Sequence, residues 1–339
     1  YWGLDTYQTQ ASIKEELNQK NIRVATIGIA GESLIPFSLI LCDHGRVAGR
    51  TGMGAIMGSK NLKAIAVKGD GSVPIMRMDS FKPARSESNR ELKSDPFVKV
   101  ISDFGTSAAA EYFDYLGEMP KRYFSRSSFP EDIQISGTRL AETILTGKSA
   151  CHACVIACGR KVRLREEEEE RKGPEYESLV GFGPNLWLND LEIATRLSEL
   201  CDRYGMDTIS LSNTIGLAFR LFDLGVISEE QTGGLTLNWG DEKMVGELVH
   251  LTVTRIGFGA EISRGARELA RRYHVEDEAV QVNGLEVAYH DPRGSSGMAL
   301  VYATSPRGAC HNQSDYYKVD IGQAETSLGL DYVDPRGGA

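Results

Sequence analysis

Three of the six cysteines crowd into one short run, Cys151-His-Ala-Cys154-Val-Ile-Ala-Cys158. Thiolates spaced two and three residues apart can turn inward on one loop and bind three irons of a cubane cluster, with a fourth thiolate from elsewhere. The spacing therefore favours a [4Fe-4S] site. Zinc held by the three cysteines and His152, or simple burial of the cysteines, are the alternatives. No remaining cysteine is an obvious fourth ligand.

A second stretch that could bind a ligand is rich in glycine, Ala48-Gly-Arg50-Thr-Gly-Met-Gly-Ala-Ile-Met-Gly-Ser-Lys-Asn61. It matches neither a P-loop nor a dinucleotide fingerprint, because the Gly-Lys-Ser/Thr ending and the strand context are missing. Its backbone N–H groups and the neighbouring basic side chains suit an anionic ligand such as a phosphate. The alternative is a glycine-rich turn that packs two strands.

Carboxylates and a histidine occur in three further motifs. Asp202 and Asp207 flank a predicted tight turn at Gly205, where they can accept ring N–H groups of a heterocycle or simply cap helices. Glu177 ends the run Gly-Pro-Glu-Tyr-Glu, and His311 ends the run Ser-Pro-Arg-Gly-Ala-Cys-His. Glutamate and histidine are the usual proton carriers in enzymes, although spacing alone does not assign that role here.

The elements that must position these residues begin with a β-rich segment. Residues 23–42 contain two apolar runs separated by Gly31-Glu32-Ser33, which predicts strand, turn and strand, and Ile65–Gly69 adds a short strand. The polar stretch from Arg77 to Pro96, which includes Pro83, predicts a linker.

The later part of the chain is mostly helical in pattern. Asn189, with Glu192 three residues later, predicts the start of a helix that ends at Gly205. A second helix is predicted from Thr208 to Leu224. The predicted fold class is therefore α+β, with a β-rich N-terminal segment followed by mainly α-helical domains.

Composition excludes several classes of protein. The 339 residues carry a net charge of -9 with 41% apolar and 25% charged residues, which is typical of a globular protein and argues against a nucleic-acid partner. No apolar run approaches the roughly 20 residues that cross a bilayer, so we expect a soluble protein without a membrane span. Sparse cysteines favour a reducing compartment, the cytoplasm. Because the chain opens at Tyr1 and stops without a closing element, we expect a piece of a longer polypeptide.

Taken in order, these motifs resemble the tungstopterin-dependent aldehyde ferredoxin oxidoreductase family. The resemblance is carried by Ile27-Gly-Ile-Ala-Gly-Glu32, Ala48–Ala64, the three clustered cysteines, Gly173–Glu177, Asp202-Arg-Tyr-Gly-Met-Asp207-Thr-Ile-Ser and Ala303–Ala309. These matches span nearly the whole chain.

The resemblance implies a domain organisation. Residues 1–74 are expected to end an N-terminal β-rich domain that binds pterin. Residues 75–281 are expected to form a helical domain with the Fe-S motif and the aspartate pterin motif, and residues 282–339 the start of a C-terminal helical domain.

The same resemblance implies the cofactors. Ala48 and Arg50 are expected near the phosphates of a tungsten (or molybdenum) bis-pterin and their bridging Mg²⁺, and Asp202 and Asp207 are expected to hold one pterin. The cysteine run is expected to bind the cluster. The family's second Asp-x-x-Gly-Leu-Cys motif, which supplies the other pterin contact and the fourth cluster ligand, has no match in this chain.

The implied activity is oxidation of an aldehyde to a carboxylic acid, or the reverse, with electrons passing through the cluster to ferredoxin or a partner subunit. Glu177 is expected to be the base and His311 to polarise the carbonyl oxygen, in a protein that forms an oligomer. Two departures stand out, Thr51 at a common glycine position and Cys310 at a commonly acidic one. Cys310 leaves open a tungsten-dependent class II benzoyl-CoA reductase-like subunit acting on an aromatic thioester. A non-catalytic Fe-S or zinc structural subunit is a further alternative.

Overall fold

A small antiparallel sheet opens the computed structural model, which describes residues 1–43, 45–129, 133–314 and 316. Its four strands lie in the order β3-β2-β1-β4. They are β1 (Arg23–Ile27), β2 (Ile40–Cys42), β3 (Arg46–Ala48) and β4 (Ala64–Val67), with α1 (Thr6–Glu16), α2 (Ile29–Glu32) and α3 (Met53–Ser59) before and between them. Helix α1 begins with a capping box between Asp5 and Gln8, and its Ile13 packs with Val24 of the central strand in a small core.

The connection between β1 and β2 differs from the predicted turn. Residues Gly31 and Glu32 belong to helix α2, and β2 begins only at Ile40. Close packing rather than a turn requires these glycines, because a Cβ on Gly31 would lie 2.8 Å from Ile27 Cβ and one on Gly58 of α3 would lie 1.9 Å from the Gly31 carbonyl oxygen. Buried contact between α2 and α3 therefore explains these glycines.

Helices dominate the rest of the described chain. They are α4 (Met78–Ser94), α5 (Pro96–Phe104), α6 (Ala110–Tyr115), α7 (Gly137–Thr143), α8 (Tyr176–Gly181), α9 (Leu191–Tyr204), α10 (Thr208–Asp223), α11 (Glu229–Thr232), α12 (Glu242–Thr254), α13 (Gly259–Ile262), α14 (Ala266–Arg272) and α15 (Ser296–Thr304). A three-stranded sheet of β5 (Leu145–Ser149), β6 (Gly159–Val162) and β7 (Arg171–Lys172) and a hairpin of β8 (Gln281–Val282) and β9 (Leu285–Glu286) lie among them. The α+β prediction is confirmed.

The predicted linker from Arg77 to Pro96 is wrong, because α4 occupies most of it. None of the residues of α4 is buried, so its polar composition reflects a solvent-exposed helix that contains Pro83 in its first half. Asp95 then caps α5 by accepting from the Phe97 N–H at 2.7 Å, with Pro96 at the first helical position.

Helices α9 and α10 both contribute to the main hydrophobic core. Helix α9 is capped by Asp190 rather than the predicted Asn189, whose side chain instead accepts from the Gln134 N–H at 2.8 Å. Gly205 ends α9 in the left-handed region at φ +77°, as predicted. Twelve of the 16 residues of α10 are buried, which makes it the most suitable support for a buried site.

The N-terminal sheet docks on the turn between α9 and α10 through its backbone. Leu39 N donates to Gly205 O at 2.8 Å, and Asp207 N donates to Phe37 O at 2.9 Å. A Cβ on Gly28 would lie 2.2 Å from the Tyr204 carbonyl oxygen, so only glycine allows this approach. The division at residues 74 and 281 stays a prediction, and residues 317–339 of its last part lie outside the described residues. In the described ranges, no helix combines the length and apolar character that a membrane span requires.

Candidate active site

Four side chains from distant segments form a group that we call the acid-base cluster: Glu118, Glu177 and His290, which are buried, and His311, which is half-buried. Glu177 lies in the first turn of α8, and its Oε1 is 3.5 Å from His290 Nε2 and 3.7 Å from His311 Nδ1. His290 Nδ1 is 2.7 Å from Glu118 Oε1 on its other side. The structure thus brings together the two residues predicted to handle protons and adds a second carboxylate and imidazole.

Backbone and aromatic contacts hold the cluster in place. Tyr289 N donates to Glu177 Oε2 at 2.8 Å. The His290 ring packs against Phe113 with ring centroids 5.0 Å apart, and against Tyr176 at 5.2 Å. Glu118, Glu177 and His290 are therefore positioned by packing in the core.

Two atoms of the cluster lack hydrogen bonds. Glu177 Oε1 and His311 Nδ1 are buried and have no hydrogen-bond partner within the described part of the chain. Buried polar atoms are almost always hydrogen-bonded, so such a pair marks a place where a ligand can bond. Burial lowers the pKa of His311, but the neighbouring Glu177 carboxylate and the Cys310 thiol raise that pKa above its ordinary value overall.

Cys310 lies beside this pair and is fully buried. Arg307 Nη2 donates to its Sγ at 2.7 Å. Burial by itself would raise the pKa of the Cys310 thiol, but hydrogen bonds from His311 and the Asn312 N–H, together with Arg50, lower it to about 7. A large share of this thiol is therefore ionised at neutral pH.

Arg50 connects three parts of the protein. Its Nε is 3.3 Å from Asp207 Oδ2, its Nη1 donates to Ala309 O at 2.7 Å, and its Nη2 donates to Glu286 O. Asp207 also caps α10 through the N–H groups of Ile209 and Ser210, so the capping role that the motif left open is present. Burial would lower the pKa of Arg50, but Asp207 and other acidic neighbours raise it.

Asp202 is as buried as Asp207, at 5% exposed, but it makes different contacts. Its Oδ2 accepts from Lys172 Nζ at 2.7 Å, while its Oδ1 has no hydrogen-bond partner among the residues that the structure describes. Burial raises the pKa of Asp202, opposed by Lys172. Lys172 also lines a cavity of about 970 Å³ together with Arg160 and Arg203. Acidic residues such as Glu169 and Glu199 also line it, but basic residues outnumber them, so the motif lies next to a cavity with an excess of basic side chains.

The cysteine loop lies close to this cavity. Arg160, which lines the cavity, donates to Ala157 O at 2.6 Å. Cys151 is exposed, whereas Cys154 and Cys158 are half-buried.

The loop is folded by two residues in the left-handed region, Ala153 and Ala157, and by a turn in which Cys154 N donates to Cys151 O. Burial raises the pKa of Cys158, and Glu175 and the other two thiols raise it further. In the described part of the chain no three histidine, cysteine, aspartate or glutamate side chains form a group that could hold a metal ion. The predicted ligand role of the cysteines stays a prediction.

The glycine-rich stretch packs against the protein itself. A Cβ on Gly52 would lie 2.0 Å from Pro36 O, and one on Gly54 would lie 2.5 Å from Leu39 O. This supports the alternative of a turn that packs two segments. Ala48 ends β3 opposite Ile40 and is exposed, so its predicted position near a phosphate is not tested.

Sequence reasoning missed Glu118 and His290. His290 lies in a loop after β9 and Glu118 in a loop after α6, and neither belongs to a spaced motif. The main chain joins these loops, because Asp291 N donates to Glu118 O at 2.7 Å. Only the rarity of histidine, six in the chain, could have drawn attention to His290.

The glutamate-histidine cluster contains polar atoms without hydrogen bonds and lies beside a thiol with a pKa near 7. Such a combination is typical of the acid-base sites of enzymes, and here it lies on an α+β scaffold. The chain matches the family model "Aldehyde ferredoxin oxidoreductase, N-terminal domain" over residues 1–69 and "Aldehyde ferredoxin oxidoreductase, domains 2 & 3" over residues 84–336. It therefore belongs to the aldehyde ferredoxin oxidoreductase family, and the resemblance inferred from the sequence is confirmed.

Individual relatives agree with this family. The chain is 37% identical over 312 residues to a tungsten-containing aldehyde ferredoxin oxidoreductase of Pyrococcus furiosus, covering 91% of this chain and 51% of the relative. It is 28% identical over 340 residues to an aliphatic sulfonate oxidoreductase, WOR-like subunit, of the same organism, covering 93% of this chain and 54% of the relative. The chain thus spans about half the length of these relatives.

One solved structure has the same fold. It is the active site complex BamBC of benzoyl coenzyme A reductase in complex with 1,5-dienoyl-CoA, with a TM-score of 0.75 and 21% sequence identity. The match covers 90% of this chain and 48% of that chain. At this identity the likeness concerns the fold alone.

Proposed function

We propose that this chain is part of a tungsten bis-pterin oxidoreductase that oxidises an aldehyde to a carboxylic acid, or catalyses the reverse reaction. The observation that carries the proposal is the facing pair of unbonded buried atoms, Glu177 Oε1 and His311 Nδ1. Family membership and the tungsten-containing relatives support the choice of cofactor. When bound, the metal-pterin group takes up the two electrons removed from the aldehyde.

The proposal assigns the holding of the cofactor to four residues. Asp202 Oδ1 is an acceptor without a partner in the described ranges, and the excess of basic over acidic residues in the neighbouring cavity supports binding of a phosphate-bearing molecule. We propose that Asp202 and Asp207 bind one pterin, with Ala48 and Arg50 towards its phosphates and Mg²⁺. Arg50 and Asp207 already bond each other, so they would act as a fixed pair.

The protons of the reaction fall to Glu177 and His311. Conversion of an aldehyde and water to a carboxylic acid releases two protons and two electrons, so a base must be within hydrogen-bond reach of the reacting carbon's oxygen substituents. Glu177 is the proposed base. His311, whose pKa lies above its ordinary value, can donate to the carbonyl oxygen.

Electrons are proposed to leave through a [4Fe-4S] cluster bound by Cys151, Cys154 and Cys158. Thiolates are the usual ligands of such clusters, and these three lie on one loop next to the cavity beside Asp202. The acceptor is proposed to be ferredoxin or a partner subunit in a cytoplasmic oligomer. The fourth ligand is not identified in the described chain.

The proposal is tested with protein loaded with tungsten, pterin and iron. Glu177→Gln and His311→Asn are expected to lower aldehyde-dependent dye reduction by about 10² to 10⁴ while metal content stays unchanged. Glu247→Gln, an exposed change on α12, is the matched control and should retain activity. Near-normal turnover of fully metallated Glu177→Gln would refute the role of this carboxylate.

A second function is favoured by Cys310. A buried thiol with a pKa of about 7 beside His311 suits an enzyme acting on an aromatic thioester, the class left open by the sequence. Substrate assays separate the two activities, since reduction of an aromatic thioester without aldehyde oxidation would favour the second. Metal analysis also tests the structural alternative, because zinc without tungsten or iron would favour a non-catalytic subunit.

A further inference from the structure

We propose that His290, oriented by Glu118, is a positioning residue that relays the proton of Glu177 into the protein interior. The inference rests on the proposed function of the Glu177 site and adds two residues to it. It starts from one observation: a single buried imidazole lies between two buried carboxylates.

The relay requires one state of the imidazole. Glu118 Oε1 is 2.7 Å from Nδ1, a distance at which an ionised Glu118 accepts from a ring protonated on Nδ1, and this is the tautomer that the relay uses. Nε2 then turns its lone pair towards Glu177 Oε1, 3.5 Å away. The arrangement is that of a carboxylate that orients a histidine for proton transfer.

The energetic cost of the arrangement argues against a purely structural role. Glu118 is 1% exposed, and Glu177 and His290 are 8% and 5% exposed. Burying two carboxylates around one imidazole costs more than an apolar core of similar volume would. A buried histidine with a purely structural role needs only one hydrogen-bond partner, whereas His290 faces the carboxylates of both Glu118 and Glu177.

The stoichiometry of the reaction gives the second carboxylate a use. Each turnover of the proposed reaction releases two protons, but Glu177 can hold only one. The O–H bond of Glu177 breaks as an N–H bond forms at His290 Nε2, and the Nδ1–H bond breaks as an O–H bond forms at Glu118. One proton has then moved from Glu177 to Glu118, no electrons are transferred, and Glu177 is again a base.

The two histidines approach Glu177 Oε1 from different sides. His311 keeps 23% of its side chain exposed and faces the oxygen from the more open side. His290 faces the same oxygen from the core, with its ring 6.1 Å from the ring of His311. The structure therefore places one proton route towards the open side and one towards the interior.

The first test needs no cofactor. Nitrogen NMR of the full chain with ¹⁵N-labelled histidine should show His290 protonated on Nδ1, and Glu118→Gln should shift this tautomer. Glu111→Gln, a change of the same type at an exposed position of α6, should leave it unchanged. A wild-type His290 protonated on Nε2 alone, or a tautomer indifferent to Glu118→Gln, would overturn the relay.

The second test uses the metallated protein. Glu118→Gln and His290→Gln are expected to lower kcat by about 10²-fold with little change in KM, and to change the solvent isotope effect. Glu118→Asp, which keeps the carboxylate, should restore part of the activity and provides a second variant if Glu118→Gln does not fold. His250→Gln, at an exposed position of α12, is the control.

The outcomes separate the two proposals. Absence of aldehyde oxidation in the metallated wild-type protein would overturn the proposed function. Normal kcat and isotope effect in Glu118→Gln, in a preparation whose wild type is active, would overturn the relay alone.

Discussion

The cysteine loop and the acid-base cluster are built in opposite ways. The loop draws its three thiols from one short run at the surface, and its cysteines are recognisable from their spacing. The cluster draws its members from distant loops and helices, with 172 positions between Glu118 and His290 alone, and three of its four members are buried. Iron-thiolate bonds can organise a loop, whereas weak proton-transfer contacts need a folded scaffold to hold them.

The largest expected effect tests the loop. Cys154→Ser should remove most bound iron and the EPR signal of the reduced cluster, because it deletes one of the proposed thiolate ligands. Cys42→Ser, a half-buried cysteine outside the run, should keep both. Unchanged iron content in Cys154→Ser would contradict the proposal that the cysteine loop binds the cluster.

The next effect tests the scaffold of the cluster. Asp207→Ala removes a helix cap and leaves the buried Arg50 without its carboxylate, so we expect a loss of about 3–5 kcal/mol in the free energy of unfolding. Asp190→Ala removes only the exposed cap of α9 and should cost about 1 kcal/mol. Denaturant unfolding measures both, and equal losses would show that the Arg50 pair adds nothing.

The smallest effect contrasts two thiols. The pKa of Cys310 is lowered to about 7, whereas the pKa of Cys158 in the loop is raised. A lowered thiol pKa stabilises the folded state above the ordinary value near 9, and this contribution is lost as the pH falls through about 7. The stability advantage of wild type over Cys310→Ser should therefore be larger at pH 9 than at pH 6. An advantage that does not change with pH would contradict the lowered pKa.

Features that depend on neighbouring residues, such as the cysteine loop, could be predicted from the sequence, whereas the acid-base cluster could be predicted only in part. Spacing identified the cysteine run, and local signals identified the end of α9 at Gly205, because these depend on neighbouring residues. The linker prediction failed because an exposed helix has a polar composition like that of a loop. Glu118 and His290 escaped detection because tertiary packing, rather than spacing, brings them together.

The three bonds of Arg50 also have a meaning for folding kinetics. They join residues 157, 236 and 259 positions apart, which is the most costly kind of contact for a chain to close. Helices α9 and α10 can form from local contacts long before Arg50 finds its partners. The site is therefore expected to be the last part of the protein to assemble.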